Sequence, residues 1–265
     1  MAVSSVGGSG SLAKILQNQT NNLQNNFKKL SSGLRVNSAS DDAAGLAVAT
    51  ELLTSARIDD QGSRNISDAL SATNIADGAI SSASDITSRL NELATQASNG
   101  TLSASQRSSL NTEYQALASE LDRISQTTQF NGVQLLGGNT EIGVQAGQSG
   151  LSIKFPGVSS SGLGLASNLS SQESARAALD ESKAAVEALA QARGDIGSSV
   201  ARLDTAYENI RSSSVASKSA ASQILDADFA EVSSKLAASK IGQQASVAIN
   251  AQANLQAKNV LKLLA

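Results

Sequence analysis

The chain has 265 residues, 40% of them hydrophobic and only 2% aromatic, with one Pro and no Cys, His or Trp. That is apolar content for one or two domains, and a stock of Ala, Leu, Ile and Val with almost no Pro suits long, closely spaced helices. A net charge of −3 from 20 basic and 23 acidic residues, with no basic block, excludes the electrostatic footprint of nucleic-acid binding, and no apolar run of about 18 residues is present to span a membrane.

Residues 1–10 are Ser/Gly-rich and are expected to be unstructured in the free chain. The opening MAVSSVGGSGSLAK has neither a charged n-region nor an apolar h-region, so no conventional secretory signal is expected. Absent Cys suits an oxidising exterior, and many cytosolic proteins share it. The first helix is read from Leu12 to about Ser32. Its large apolar residues, Leu12, Leu16, Leu23, Phe27, Leu30 and Leu34, recur in steps of 4 and 3 or their sum, a heptad seam on an otherwise polar helix. Such a helix is marginal alone. Its mate is read at the far end, between Phe229 and Leu264.

A joint, SSGLRVNSASDDAAGLA at 31–47, follows. Gly33 can end a helix, and Ser38 with Asp41 three residues on resembles a capping box. Asp41 and Asp42 are placed in the first turn of the next helix as caps rather than metal ligands. Arg35 has no evident local partner and is taken as a contact between subunits. The second helix carries Ile66, Leu70, Thr73, Ile80, Ala83, Leu90, Leu93 and Ala97, with apolar residues from Leu46 to Leu53 ahead of it. Over Leu46–Ala97 it would be roughly 75–80 Å long at 1.5 Å per residue. Asn99-Gly100 stops it, and the short connection makes the third helix, from about Ser103 with Leu110, Tyr114, Leu117, Leu121 and Ile124, its antiparallel neighbour.

The helical pattern lapses over 130–170. Val133–Leu136, Ile142–Val144 and Leu151–Phe155 read as short strands joined by Gly-containing turns, a hairpin region. A helix returns near Ser174 with Leu179, Val186, Leu189, Ile196, Val200, Leu203, Tyr207 and Ile210, Arg193 filling one heptad position. Gly194 and Gly197 inside it weaken it or admit a close neighbour. The Ser/Ala-rich stretch 212–222 leads to Leu225, and Asp226 or Asp228 can cap the last helix, whose seam is read as Phe229, Val232, Leu236, Ile241, Ala245, Ala248 and Leu255.

The fold class expected is therefore mainly α: a long antiparallel helical bundle or coiled coil with a small β-hairpin region, the N- and C-terminal helices paired. No catalytic constellation is present, since Cys and His are absent and the many Ser have no evident base. An enzyme, a cofactor and a bound metal are not expected. The Gly147-x-x-Gly150 spacing lacks a strand–helix phosphate context and reads as turns.

Four pieces in order, the joint at 31–47, QTTQFNGVQLL at 126–136, AGQ at 146–148 and AINAQANLQAKNVLKLL at 248–264, resemble bacterial flagellin, the subunit of the flagellar filament. The resemblance implies an inner domain (D0) from residues 1–40 and 225–265, and a bundle domain (D1) over 41–224 with its hairpins at about 130–170. Only about 40 residues separate the Phe130 segment from the helix near Ser174, so the outer domains of larger flagellins are expected to be missing. Implied partners are further copies of the chain in a helical polymer, the type III export apparatus and an export chaperone, and hook-associated and cap proteins, with secretion to the cell exterior.

The residues expected to carry assembly are Leu12, Leu16, Leu23, Phe27, Leu30 and Arg35 at one end, and Phe229, Val232, Leu236, Ile241, Leu255, Val260 and Leu263 at the other. Recognition by a Toll-like innate immune receptor is implied at Arg89, Leu93 and Glu113, against the alternative that the charges are simply solvated and Leu93 is bundle packing. The GSGSLAK start, Ala257 where a Pro is common, and Ser88 and Asn91 beside Arg89 depart from the family pattern. Two other readings stay open: a hook-associated junction protein with similar ends, and a surface adhesin, which would need a concave pocket. Sugars on Ser or Thr of the hairpin region also stay open.

Overall fold

The computed structural model describes residues 4–138 and 140–264, with side chains placed over 14–138, 140–256 and at 258. In chain order the elements are α1 (Ser4–Ser32), α2 (Ala43–Ala97), α3 (Ala104–Thr127), β1 (Gln129–Phe130), β2 (Val133–Gln134), β3 (Thr140–Ala146), β4 (Ser149–Phe155), α4 (Gln172–Leu225) and α5 (Phe229–Leu264). They divide into two compact units: Ser55–Val215, and the residues up to Thr54 together with those from Ala216 onward.

In the Ser55–Val215 unit, the period-3.6 pattern places one stripe of each helix inward. On α2 that stripe carries Ile66, Ala69, Thr73, Ala76, Ile80, Ala83, Leu90, Leu93 and Ala97, all buried. On α3 it carries Tyr114, Leu121 and Ile124. On α4 it is Ala175, Ala178, Ser182, Ala185, Leu189, Ala192, Ile196 and Leu203, in 3-4 steps or their sum. Fully burying a Leu or Ile contributes about 1.5–3 kcal/mol, while the Ala positions let helices approach closely. The α4 stripe differs from the sequence reading at one place: Ala192, not Arg193, is the inward residue. Arg193 is exposed, and its Nε donates to Asp77 at 3.1 Å. Gly194 and Gly197 face open space, with nothing near their would-be Cβ atoms among the described residues.

Helix ends follow local chemistry. Ser103 caps α3 in a full capping box with Gln106, satisfying two orphan donors. Ser171 accepts from the Ser174 N–H at the start of α4. Cross-pairs tie the helices together: Asn91 Nδ2 of α2 donates to Ser182 Oγ of α4 at 3.0 Å, and Arg89 of α2 pairs with Glu113 of α3.

The β3–β4 hairpin alternates in burial as strands do. β3–β4 pairs from Thr140↔Phe155 to Ala146↔Ser149, and Val144, Ala146, Ile153 and Phe155 are buried in the bundle core. Its turn sits at Gly147, with φ +62°. Gly62 of α2 allows that turn to lie on the helix, because a Cβ there would come within 2.9 Å of Gly147 Cα and 3.0 Å of the Ala146 carbonyl carbon. The strand expected over Val133–Leu136 ends at Gln134 instead. Leu135 and Leu136 turn inward and are fully buried, while the Leu135 N–H still donates to Thr128 O at 3.0 Å. The strap over 157–171 has no regular structure, yet Val158 and Leu169 are buried in it. Carboxylates on the helices hold it: Asp122 accepts from Ser160 N–H and Oγ–H, and Glu181 from the N–H groups of Ala166 and Ser167.

One expectation changes in the helices. The first helix begins at Ser4 rather than after the Ser/Gly-rich stretch, because extending a formed helix adds one hydrogen bond per residue without a new nucleus. The Ser/Ala-rich 212–222 is continuous helix within α4. No described helix is long and apolar enough to cross a membrane, and no cluster of three or more acidic side chains suited to a metal ion occurs among the described residues.

Candidate assembly surface

The terminal unit is built on α1 and α5. Asn26 Nδ2 donates to Ser239 Oγ at 3.1 Å and Gln243 Nε2 donates to Thr20 Oγ1 at 3.3 Å, so later residues of α5 meet earlier residues of α1 and the pair is antiparallel. On α1 the half-buried stripe is Leu16, Thr20, Leu23, Asn26 and Leu30. Phe27 lies beside this stripe and is 63% exposed; Asn26 occupies the position read for it.

On α5 the side toward α1 is Val232, Leu236, Ser239, Gln243, Ser246, Asn250 and Ala253, a strict 4-3 progression that turns polar after its second member. Only Val232 among these is buried. The seam read from sequence as one stripe is really two. Between Leu236 and Ile241 the spacing is five, which rotates the stripe by about 140° at 100° per residue. Ile241, Ala245, Ala248 and Leu255 therefore face away from α1, Ile241 being 66% and Leu255 56% exposed. Phe229, at the first turn of α5, is 67% exposed. Leu12, Val260 and Leu263, expected to take part, lie outside the residues whose side chains are described.

The terminal unit thus has an unusual distribution of apolar groups. Its helix–helix seam carries polar pairs, which fix register at some cost in stability, while large apolar side chains stand in solvent along the outer side of α5. A pair of this kind is weak by itself and has apolar area left to bury.

The joint is more closed than the sequence suggested. Residues 33–36 lie antiparallel to 225–227 through the Leu34↔Asp226 bridge, with Arg35 N–H donating to Leu225 O at 2.6 Å and Ala227 N–H to Gly33 O at 2.9 Å. Arg35, expected to lack a local partner, donates from Nη2 to Ile224 O at 2.8 Å. The last carbonyls of α4 are orphan acceptors at a partly negative helix end, so the guanidinium and the Arg35 N–H cap that end from a segment 189 residues away. Beneath this clasp Val36, Ala49, Ala221 and Leu225 form a small core.

Asp41 sits in the turn before α2, not in its first helical turn. Its Oδ2 accepts from the N–H groups of Asn37 and Ser38 and from Ser38 Oγ. The Asn37 N–H, then the Ser38 hydroxyl, hold its carboxyl below the usual 3.8. Asp42 caps α2 by accepting from Gly45 N–H at 2.8 Å. Of the two caps offered for α5, Asp228 is used, accepting from Ala230 and Glu231 N–H. Asp226 instead takes the Ser222 hydroxyl.

In the other unit, Arg89 Nη1 binds Glu92 and its Nε and Nη2 fork onto Glu113 Oε1 at 3.1 and 2.8 Å. Its guanidinium is held in the charged form by Glu92 first and Glu113 second. Arg89 and Glu113 are thus one exposed cluster. Leu93 is not part of that surface: it is 1% exposed and packed in the bundle core. Sequence reasoning missed Thr20, Asn26, Ser239 and Gln243; continuing the 4-3 count from Val232 would have reached the last two.

The description "Bacterial flagellin N-terminal helical region" matches residues 3–141, and "Bacterial flagellin C-terminal helical region" matches residues 179–264. Flagellin of Halalkalibacterium halodurans is 36% identical over 249 residues, covering 91% of each chain. The flagellar filament 30.7 kDa core protein of Treponema maltophilum is 33% identical over 263 residues, 91% of this chain and 92% of that one. A solved structure of a putative flagellar hook-associated protein from Vibrio parahaemolyticus aligns with a TM-score of 0.60 over 70% of this chain and 100% of that one, at 14% identity. That likeness shows the fold alone.

Proposed function

The chain belongs to the bacterial flagellin family, and within that membership we propose that the outer side of α5, with Phe27 of α1, is the surface through which subunits hold one another. The protein is a structural subunit that polymerises into the flagellar filament, an extracellular appendage that transmits motor torque for swimming. The observation behind the proposed surface is the apolar stripe at Ile241, Ala245, Ala248 and Leu255, turned away from the subunit's own α1. Burying it between neighbours supplies the energy that the polar α1–α5 seam does not.

In this reading residues 1–40 and 225–265 make the inner D0 layer and 41–224 the D1 layer. The terminal helices order on assembly, with the entropy of ordering offset by interface burial. Protected α1 and α5 amides in dilute monomer, followed by hydrogen exchange, would count against this. Arg35 keeps its clasp within the subunit and is exposed there; Arg35→Ala that left both polymerisation and joint protection unchanged would remove it from the proposal. Export through the type III apparatus with a chaperone, and contacts with hook-associated and cap proteins at the filament ends, belong to the same proposal.

Electron microscopy of purified protein tests the reading directly. Self-assembly into tubes, lost in Ile241→Asp while the Ser55–Val215 unit melts as before, is the result expected. Short caps without tubes would favour a junction protein. At the Arg89–Glu113 cluster we place the receptor contact, with Leu93 serving the fold. A Toll-like receptor reporter assay should respond to monomer and respond less to Arg89→Ala; silence at high dose overturns it.

A further inference from the structure

The two Asn-Gly sequences of this chain stand in opposite surroundings, and from that contrast we infer that Asn131 is a site of spontaneous deamidation, with Asn99 protected. The reaction depends on three things: an Asn amide carbon free to be approached, a following backbone nitrogen that can reach it, and no side chain on the next residue to obstruct the approach.

Asn131 and Gly132 are the two turn residues of the β1–β2 hairpin, closing the Phe130↔Val133 pair. Both have positive φ, +49° and +80°, the left-handed pair that a two-residue hairpin turn asks for. Asn131 is exposed. Nothing lies within 4 Å of the would-be Cβ of Gly132. Among the described residues neither the Asn131 side chain nor the Gly132 N–H has a hydrogen-bond partner.

Asn99 is held. Its Oδ1 accepts from Thr101 N–H at 3.1 Å and from Thr101 Oγ1 at 3.0 Å, and its carbonyl accepts from Leu102 N–H at 3.3 Å. Beside it, a Cβ on Gly100 would stand 3.2 Å from Gln172 Nε2, itself bound to Ser98 O. An amide locked into its own turn is not free to swing toward the Gly100 nitrogen.

The step balances with water as the only co-reactant. The Gly132 nitrogen attacks Asn131 Cγ, the bond from Cγ to the side-chain nitrogen breaks, and that nitrogen leaves as ammonia with the Gly132 amide proton. The cyclic imide left behind is opened by water at either carbonyl. Opening at the former Cγ leaves an ordinary aspartate side chain at position 131. Opening at the main-chain carbonyl gives isoaspartate, with the backbone routed through the side chain.

The two products have different consequences. Aspartate tolerates the left-handed region nearly as Asn does, so it adds one negative charge to a chain already at −3 and keeps the turn. Isoaspartate lengthens the main chain inside a two-residue turn. The Phe130↔Val133 pair then loses its register, and Phe130, which packs against the bundle core, is released. The imide opens mostly to isoaspartate, so ageing at this tip should loosen the hairpin rather than merely recharge it.

The test is to age purified full-length monomer at 37 °C in mildly alkaline buffer and follow both sites by peptide mapping with isoaspartate detection. Expected are conversion at 131 several-fold ahead of 99, and similar rates at the two sites in a denatured control. Asn131→Gly keeps a turn-competent pair and should abolish the signal without unfolding the chain. Equal or faster conversion at Asn99 in the folded protein, or no conversion at Asn131 where the denatured control converts, overturns the inference.

Discussion

Replacing Ile241 by Ala is the sharpest probe of how this subunit is held in its polymer. The side chain is 66% exposed in the single subunit, so about a third of its burial is already realised and the rest is available to assembly. Full burial of an Ile is worth about 1.5–3 kcal/mol, which leaves about 1–2 kcal/mol for the interface. A loss of that size is a factor of about 5–30 in an equilibrium constant, and it should appear as the same rise in the critical concentration for polymerisation. Cosedimentation across a concentration series measures it, with thermal unfolding as the control. The midpoint of the Ser55–Val215 unit should not move, since Ile241 is not among its residues. Leu255→Ala, at 56% exposure, should behave alike. A change in critical concentration of less than about twofold, about 0.4 kcal/mol, in both variants would mean that the outer side of α5 stays in solvent in the filament.

Tyr114→Phe should leave the bundle as stable or make it more so, by up to about 1–3 kcal/mol, because the buried hydroxyl has no partner among the described residues; clear destabilisation in chemical unfolding would reveal a missed partner. Burial, and then the charge of Glu181, push the Tyr114 hydroxyl up to about 12 from 10.0. The folded form therefore holds its proton longer than the unfolded one, so stability should fall from about pH 10 to 12, less so in Tyr114→Phe. Gly62→Ala should cost about 1–3 kcal/mol, since the new Cβ meets backbone of the Gly147 turn rather than a side chain that can move; an unchanged melting point would show that the hairpin can back away freely. The Asp41 carboxyl is depressed below 3.8, so its contribution is present above the unfolded value and is lost as pH falls through the lower folded one. Protection factors of the Asn37 and Ser38 amides, which donate to Asp41, should hold down to the ordinary carboxylate range and fall only below it; loss of protection near neutrality would contradict the assigned hydrogen bonds.

Much of the architecture was legible because burial repeats at the helical period. Ile66, Ile80, Leu90, Tyr114, Leu121 and Leu189 fell inward as their spacing required. The reading failed where a position could be filled by a small or polar residue. Ala192 serves the stripe that Arg193 was assigned to, and Asn26 the one given to Phe27, because periodicity weighted by side-chain size overlooks a small residue that fits. The loops were least legible. Nothing local marks Asp122 and Glu181 as holders of the 157–171 strap, since the amides they accept from lie 38 and 14–15 residues along the chain.

The amino-acid order alone determined that there would be long amphipathic helices, where the turns between them would fall, and that the chain's two extremities carry apolar residues a single short helix cannot hide. Those are properties of spacing and of intrinsic conformational preference. Which side of α5 meets α1 was decided in three dimensions. The five-residue step after Leu236 left the partner a choice between a bulky stripe and a small polar one. Close approach across Gly242 beside Gln19, with the Asn26–Ser239 and Thr20–Gln243 bonds, took the second and left the first outside. The same holds for Arg35, whose role as a cap on α4 exists only because folding brings the carbonyl of Ile224 to it.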